Sequence, residues 1–131
     1  MKTRIFDHID LRVADMAAAQ KFYRQLLPAL GFTVECGDDE WRSYQAPGDQ
    51  PAAFFGFTAN SNSAPNENRI AFWAESRAEV DCLAEVVLQA GGRTLEGPEL
   101  CREYSPGYCA VFFEDPSGNK LEICFRESRL S

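Results

Sequence analysis

Phe6-Asp7-His8-Ile9-Asp10-Leu11-Arg12-Val13 decides how this chain folds. Ile9, Leu11 and Val13 share one side and His8, Asp10 and Arg12 the other, the period-2 pattern of a strand with one apolar face. The pattern returns later in the chain. His8-Ile9-Asp10-Leu11-Arg12-Val13 aligns with Arg69-Ile70-Ala71-Phe72-Trp73-Ala74 at an offset of 61 (69 − 8). At that offset Asp15 falls on Ser76, Phe22 on Leu83, Leu26 on Val87 and Gly31 on Gly92. One strand–helix unit is therefore written twice, with the chain's only histidine in the first copy and an arginine in its place in the second.

Each copy continues in the same way. After the first strand, Asp15 is an N-cap residue and Ala19, Phe22, Leu26 and Leu30 form a helical stripe. Pro28 is expected to end or distort the last turn, and Gly31 suits the exit. Short strands are predicted over residues 32–36, 41–46 and 52–57, separated by Gly37-Asp38-Asp39 and Pro47-Gly48-Asp49. Residues 58–68, rich in Asn, Ser and Pro, read as a linker. The second copy restarts at 69–75, with a capping box at Ser76 and Glu79 and a stripe of Val80, Leu83, Val87 and Ala90 ended by Gly91-Gly92. A short strand over 93–95, a loop over 97–107 and strands over 108–114 and 120–126 follow. Asp115-Pro116-Ser117-Gly118-Asn119 is the turn between the last two. The tail after Glu127 is polar and expected to fray.

The predicted fold is α+β. Two β-α-β-β-β modules, about 5–58 and about 68–127, form a curved mixed sheet with helices outside and a polar concavity inside. At 131 residues this is one domain's length, and 45% hydrophobic residues with ten phenylalanines suit a packed core. A net charge of −7 argues against nucleic acid and against an anionic membrane surface. No 18-residue apolar run predicts a membrane span, and residues 1–11 lack the apolar core of a signal peptide. Five cysteines with no C-x-x-C pair fit reduced thiols in a cytoplasmic protein rather than a zinc knuckle or disulfide framework.

Strand alternation assigns candidate site residues. His8, Asp10 and Arg12, then Arg69, Ala71, Trp73 and Glu75, face the concavity, joined by Glu122 of the last strand if Leu121, Ile123 and Phe125 pack under the helix. Arg69 is expected to pair with Glu122. Trp73 and Trp41 read either as packing residues or as stackers for a ligand. The segment Leu100-Cys101-Arg102-Glu103-Tyr104-Ser105-Pro106-Gly107-Tyr108 is placed as a lid, with Arg102 and Tyr104 able to meet a carboxylate or phenol; its bland reading is a polar surface loop.

The doubled layout, the opening Phe-Asp-His-Ile-Asp-Leu-Arg-Val, the Lys-Phe-Tyr-Arg helix and the closing Asp-Pro-Ser-Gly-Asn-Lys-Leu-Glu-Ile resemble the glyoxalase/bleomycin-resistance/extradiol dioxygenase (vicinal oxygen chelate) superfamily. The resemblance implies four metal-facing strand positions. His8 matches the first and Glu122 the fourth. Arg69 stands at the third, where a metal-using relative carries a histidine. The second falls on 52–57, where Ala53, Phe55 and Phe57 supply no ligand. A single histidine cannot build a two-histidine, one-carboxylate iron site, and a guanidinium repels a dication. The resemblance so read implies a protein binding a small anionic or aromatic molecule through His8, Arg69, Trp73, Arg102 and Tyr104, without a cofactor and as a homodimer. Two alternatives stand beside it. One is a lactoylglutathione-lyase-type lyase or isomerase, with Glu122 catalytic and a divalent ion (zinc, nickel, manganese or iron) held weakly by His8 and Glu122. The other is an interaction module with no ligand.

Overall fold

The computed structural model describes residues 4–127; the tail expected to fray lies outside them. The chain forms two compact units, meeting between Ala64 and Pro65. Each has the β-α-β-β-β order and its own four-stranded mixed sheet.

The first unit contains β1 (His8–Val13), α1 (Met16–Leu30), β2 (Val34–Gly37), β3 (Trp41–Gln45) and β4 (Phe54–Ala59), in sheet order β1-β4-β3-β2. β1 runs parallel to β4, and the other pairs are antiparallel. Asp15 caps α1 by accepting the Ala18 amide at 3.1 Å. The helix buries Ala19, Phe22, Tyr23, Leu26 and Leu27, and Val13, Tyr44, Phe55 and Phe57 are buried with them. The Tyr23 ring lies 4.8 Å from Phe57 and 5.4 Å from Phe55, which ties the helix to the central strand. Of the two outcomes expected at Pro28, an end to the helix does not occur. It sits in the last turn on an exposed face, and Gly31, at φ 108°, donates its N–H to the carbonyls of Leu27 and Pro28 and closes the helix there.

The second unit contains β5 (Arg69–Trp73), α2 (Arg77–Ala90), β6 (Arg93–Leu100), β7 (Cys109–Glu114) and β8 (Lys120–Phe125), in sheet order β5-β8-β7-β6 with β5 parallel to β8. Ser76 caps α2 by accepting the Glu79 amide at 3.0 Å, while the Glu79 carboxylate accepts the Glu75 amide at 3.2 Å, completing the expected box one residue upstream. Val80, Leu83 and Val87 bury the helix stripe, and Val111, Phe113, Leu121 and Ile123 are buried on the strands that α2 contacts. Buried Asp115 organises the β7–β8 turn. Its carboxylate accepts the amides of Ser117 and Asn119 and the Asn119 side chain, each at 2.9 Å.

Strand ends shift by one or two residues from the sequence reading, β4 running to Ala59 into the expected linker and β5 ending at Trp73, and two strands differ in more than that. β4 starts at Phe54 rather than 52, and its register puts Phe54, Gly56 and Thr58 on the face of His8, Asp10 and Arg12. Phe55 and Phe57 point under α1, because only that choice buries two rings against Tyr23. The expected face of this strand was therefore slipped by one residue. β6 extends through Gly97-Pro98, a pair that reads as a loop in sequence. β6 is the edge strand, where proline's missing N–H costs no ladder bond, and Gly97 at φ 92° supplies the kink. A Cβ at Gly97 would stand 2.7 Å from the Ala110 carbonyl oxygen.

Candidate functional site

In each unit the helix covers one face of the sheet and leaves the other without a helix. In the first unit that uncovered face carries His8, Asp10 and Arg12 of β1, Phe54, Gly56 and Thr58 of β4, and Trp41 and Ser43 of β3. The His8 imidazole stacks on Phe54 with centroids 4.5 Å apart and planes within 3°, and its Nδ1 lies 3.2 Å from the Asp7 carboxylate. Trp41 meets the same Phe54 ring edge-on at 6.4 Å. Its indole leans over Gly56, where an added Cβ would lie 3.3 Å from Nε1. Asp10 is engaged by Thr58, whose hydroxyl donates at 3.1 Å, and by Arg12 at 3.1 Å. This face is thus an imidazole–aromatic platform beside a self-neutralised acid–base pair.

In the second unit the uncovered face carries Arg69, Ala71 and Trp73, paired with Lys120, Glu122 and Cys124, which are themselves paired with Glu114, Phe112 and Ala110. Arg69, Trp73 and Glu122 therefore share a face, as alternation predicts. The expected Arg69–Glu122 ion pair is not formed. Arg69 sits opposite Lys120, one rung short of Glu122, and its guanidinium lies 4.7 Å above the Phe112 ring. Glu122 is 6% exposed and accepts the Tyr108 hydroxyl at 2.5 Å. Burial first, then hydrogen bonds to Cys124 and Glu122, push the Tyr108 phenol far above its ordinary range, so it stays a proton donor. Burial also pushes up the Cys124 thiol and takes Cys101 to about 11, leaving neither primed as a nucleophile.

Trp73 is 69% exposed, with the Arg126 guanidinium 5.0 Å from its ring, so it is not a packing residue within this chain. Tyr104 is half exposed and meets Tyr108 edge-on at 5.2 Å; Arg102 is exposed. The segment expected to be a lid is the β6–β7 connection. The Cys101 amide donates to the Tyr108 carbonyl at 2.7 Å, and the Tyr108 amide to the Ser105 carbonyl at 3.2 Å. Sequence reasoning did not assign a role to Tyr108, although it lies an even number of residues from Phe112, the partner of Glu122. That spacing was the available signal.

These side chains do not suit a divalent ion. The first unit's uncovered face offers one imidazole and a carboxylate already paired with Arg12. The second offers Glu122, bonded to a phenol, and Glu114, across the ladder from Lys120. Among the described residues no group of three or more His, Cys, Asp or Glu is placed to hold a metal. Also among them, no helix is long and apolar enough to cross a membrane.

Residues 5–123 match the family model of the Glyoxalase/Bleomycin resistance protein/Dioxygenase superfamily. The chain is 27% identical over 124 residues to the uncharacterized protein YqjT of Bacillus subtilis (strain 168), covering 88% of this chain and 94% of that one. It superimposes on a glyoxalase/bleomycin resistance protein from Albidiferax ferrireducens T118 with a TM-score of 0.74 and 28% identity, over 92% of this chain and 98% of the other. The fosfomycin resistance protein FosX from Mesorhizobium loti shares the fold at a TM-score of 0.69 and 16% identity, over 100% of both chains. With a doubled β-α-β-β-β frame and a match spanning nearly its whole length, the chain belongs to the Glyoxalase/Bleomycin resistance protein/Dioxygenase superfamily.

Proposed function

We propose that this protein binds a small anionic or aromatic molecule on the uncovered faces of its sheets, through side chains rather than through a complete metal site. One observation carries the reading. Arg69 stands on the strand position that the family resemblance gives to a metal ligand, and it has no carboxylate partner among the described residues, only the face of Phe112 beneath it. A guanidinium held over a ring, with no carboxylate on it, keeps N–H groups free for a planar carboxylate. Exposed Trp73 on the same face offers a stacking surface, and His8 on Phe54 offers another in the first unit. Arg102 and Tyr104, exposed beside Tyr108, add a charge and a hydroxyl from the β6–β7 connection. Tyr108 fixes the Glu122 carboxylate as an acceptor, so Glu122 selects for ligand donors and is not read as a catalytic base.

The test uses 3-phenylpropanoate as probe, followed by tryptophan fluorescence and calorimetry. Saturable binding that weakens about tenfold in Arg69→Ala supports the reading. Equal binding by the variant, or no binding at all, overturns it. Elemental analysis of protein purified without chelator addresses the metal, and a stoichiometric divalent ion would overturn the metal-free reading.

A further inference from the structure

A cavity of about 60 Å³ opens in the second unit where β5, β8, β7 and β6 come side by side, lined chiefly by Arg69, Thr94, Glu96, Phe112, Glu114 and Lys120. A water needs roughly 10–15 Å³ measured this way, so the space holds about five small polar atoms. That is the size of an α-amino-acid head group and too little for a whole drug-sized ligand.

The charges on its wall are balanced: two cations and two carboxylates. Lys120 is drawn aside to Glu67 at 3.7 Å. Arg69, Glu96 and Glu114 have no ion-pair partner among the described residues, although Glu114 stands directly across the ladder from Lys120. A phosphate or other dianion entering here meets two carboxylates, and a divalent cation meets a guanidinium and an ammonium. A group carrying one charge of each sign is opposed by neither.

The backbone is bent to bring Glu96 to the cavity. Between the rungs Arg93–Glu114 and Glu96–Phe112, β6 spends three residues against two on β7, and it does so again between Glu96 and Glu99. Each shift is a one-residue bulge. A regular strand would place Leu95 opposite Phe112 and turn Glu96 to the helix side. The first bulge is bought with Thr94 at φ 56°, a left-handed conformation that a β-branched residue rarely holds.

We propose that this cavity seats an α-amino-acid-type zwitterion, its carboxylate on Arg69 and its ammonium between Glu96 and Glu114. This narrows the ligand class of the reading above and rests on it for the role of Arg69.

The experiment compares three probes that share a phenyl ring: L-phenylalanine, 3-phenylpropanoate and 2-phenylethylamine. Each is titrated by calorimetry and by the amide shifts of Thr94, Phe112 and Lys120. The expected result is L-phenylalanine binding about tenfold tighter than either single-charge probe. The double variant Glu96→Gln with Glu114→Gln should weaken L-phenylalanine about tenfold and leave 3-phenylpropanoate unchanged or tighter, because only the ammonium contacts are lost. Both side chains reach solvent and are replaced by isosteres, so the fold is retained, and a thermal melt checks this. If 3-phenylpropanoate equals L-phenylalanine on the unmodified protein, the zwitterion proposal falls while the anion reading stands. If no probe carrying a carboxylate binds, both fall.

Discussion

Removing the Tyr108 hydroxyl tests the best-defined polar contact on the second sheet. In Tyr108→Phe the ring stays, with its edge contact to Tyr104 at 5.2 Å, so packing is conserved and only the donor to Glu122 is lost. Glu122 is 6% exposed, so water cannot fully replace that donor. Hydrogen bonds to charged groups contribute about 1.5–3 kcal/mol, and this one is part-buried, so the expected loss is about 2 kcal/mol. With a urea slope of about 2 kcal/mol per molar for a chain of this size, the midpoint falls by about 1 M. Glu122→Gln is the control, because an amide oxygen still accepts but carries no charge. In that background Tyr108→Phe should cost about 1 kcal/mol less, a coupling that a double-mutant cycle reads directly. The pair also has a pH signature. The phenol's folded value lies above its ordinary 10.0, so its contribution is complete below pH 10 and is lost as pH rises further; Tyr108→Phe should flatten part of that alkaline decline. A loss below about 0.5 kcal/mol in both backgrounds would refute the argument that Tyr108 holds the Glu122 carboxylate.

The same reasoning gives three further expectations. Burial pushes the Glu35 carboxyl up, but hydrogen bonds from Gln20 at 2.6 Å, Tyr44 at 3.0 Å and Arg24 at 3.3 Å outweigh it and hold Glu35 below its ordinary 4.5. Its stabilisation is present above that value and disappears as pH falls through the lowered one, so Glu35→Gln should shrink the drop in melting temperature between pH 5 and pH 3. Gly37→Ala should cost at least about 2 kcal/mol in chemical denaturation, because φ is 111° and the new Cβ would stand 2.2 Å from the Trp41 carbonyl oxygen. Phe57→Ala, which removes a fully buried ring stacked 4.8 Å from Tyr23, should cost about 3–5 kcal/mol; a loss under 1 kcal/mol would mean that α1 is not held by this contact.

How far the sequence could be read depended on how uniquely each strand's alternation marks its faces. In β1 polar and apolar residues alternate cleanly, and β5 is found through its alignment with β1; the faces of both are as read. The Asp-Pro-Ser-Gly-Asn turn is equally plain, because Asp115 satisfies its own turn amides. β4 is different. Phe54, Phe55 and Phe57 crowd a strand whose remaining members are Gly56, Thr58 and Ala59, so composition alone does not say which rings go under the helix. Burial against Tyr23 decides it, and Tyr23 is contributed from more than thirty positions away. β6 hid for another reason. Gly97-Pro98 is a loop signal everywhere except at a bulged edge strand, and edge position is a property of the sheet rather than of the segment. The Arg69–Glu122 pair did not form for a further reason: alternation fixes the face but not which group a long side chain meets on it, and the Arg69 guanidinium lies over Phe112, the ladder partner of Glu122.

The two copies show how one backbone plan can hold opposite chemistries. In the first, the residue opposite the lead position is Phe54, and His8 answers it by stacking ring on ring. In the second, the residue opposite is Lys120, which pairs with Glu67, and the Arg69 guanidinium lies over the face of Phe112. Glu122, buried on that face, takes its hydrogen-bond donor from Tyr108 instead of from a cation.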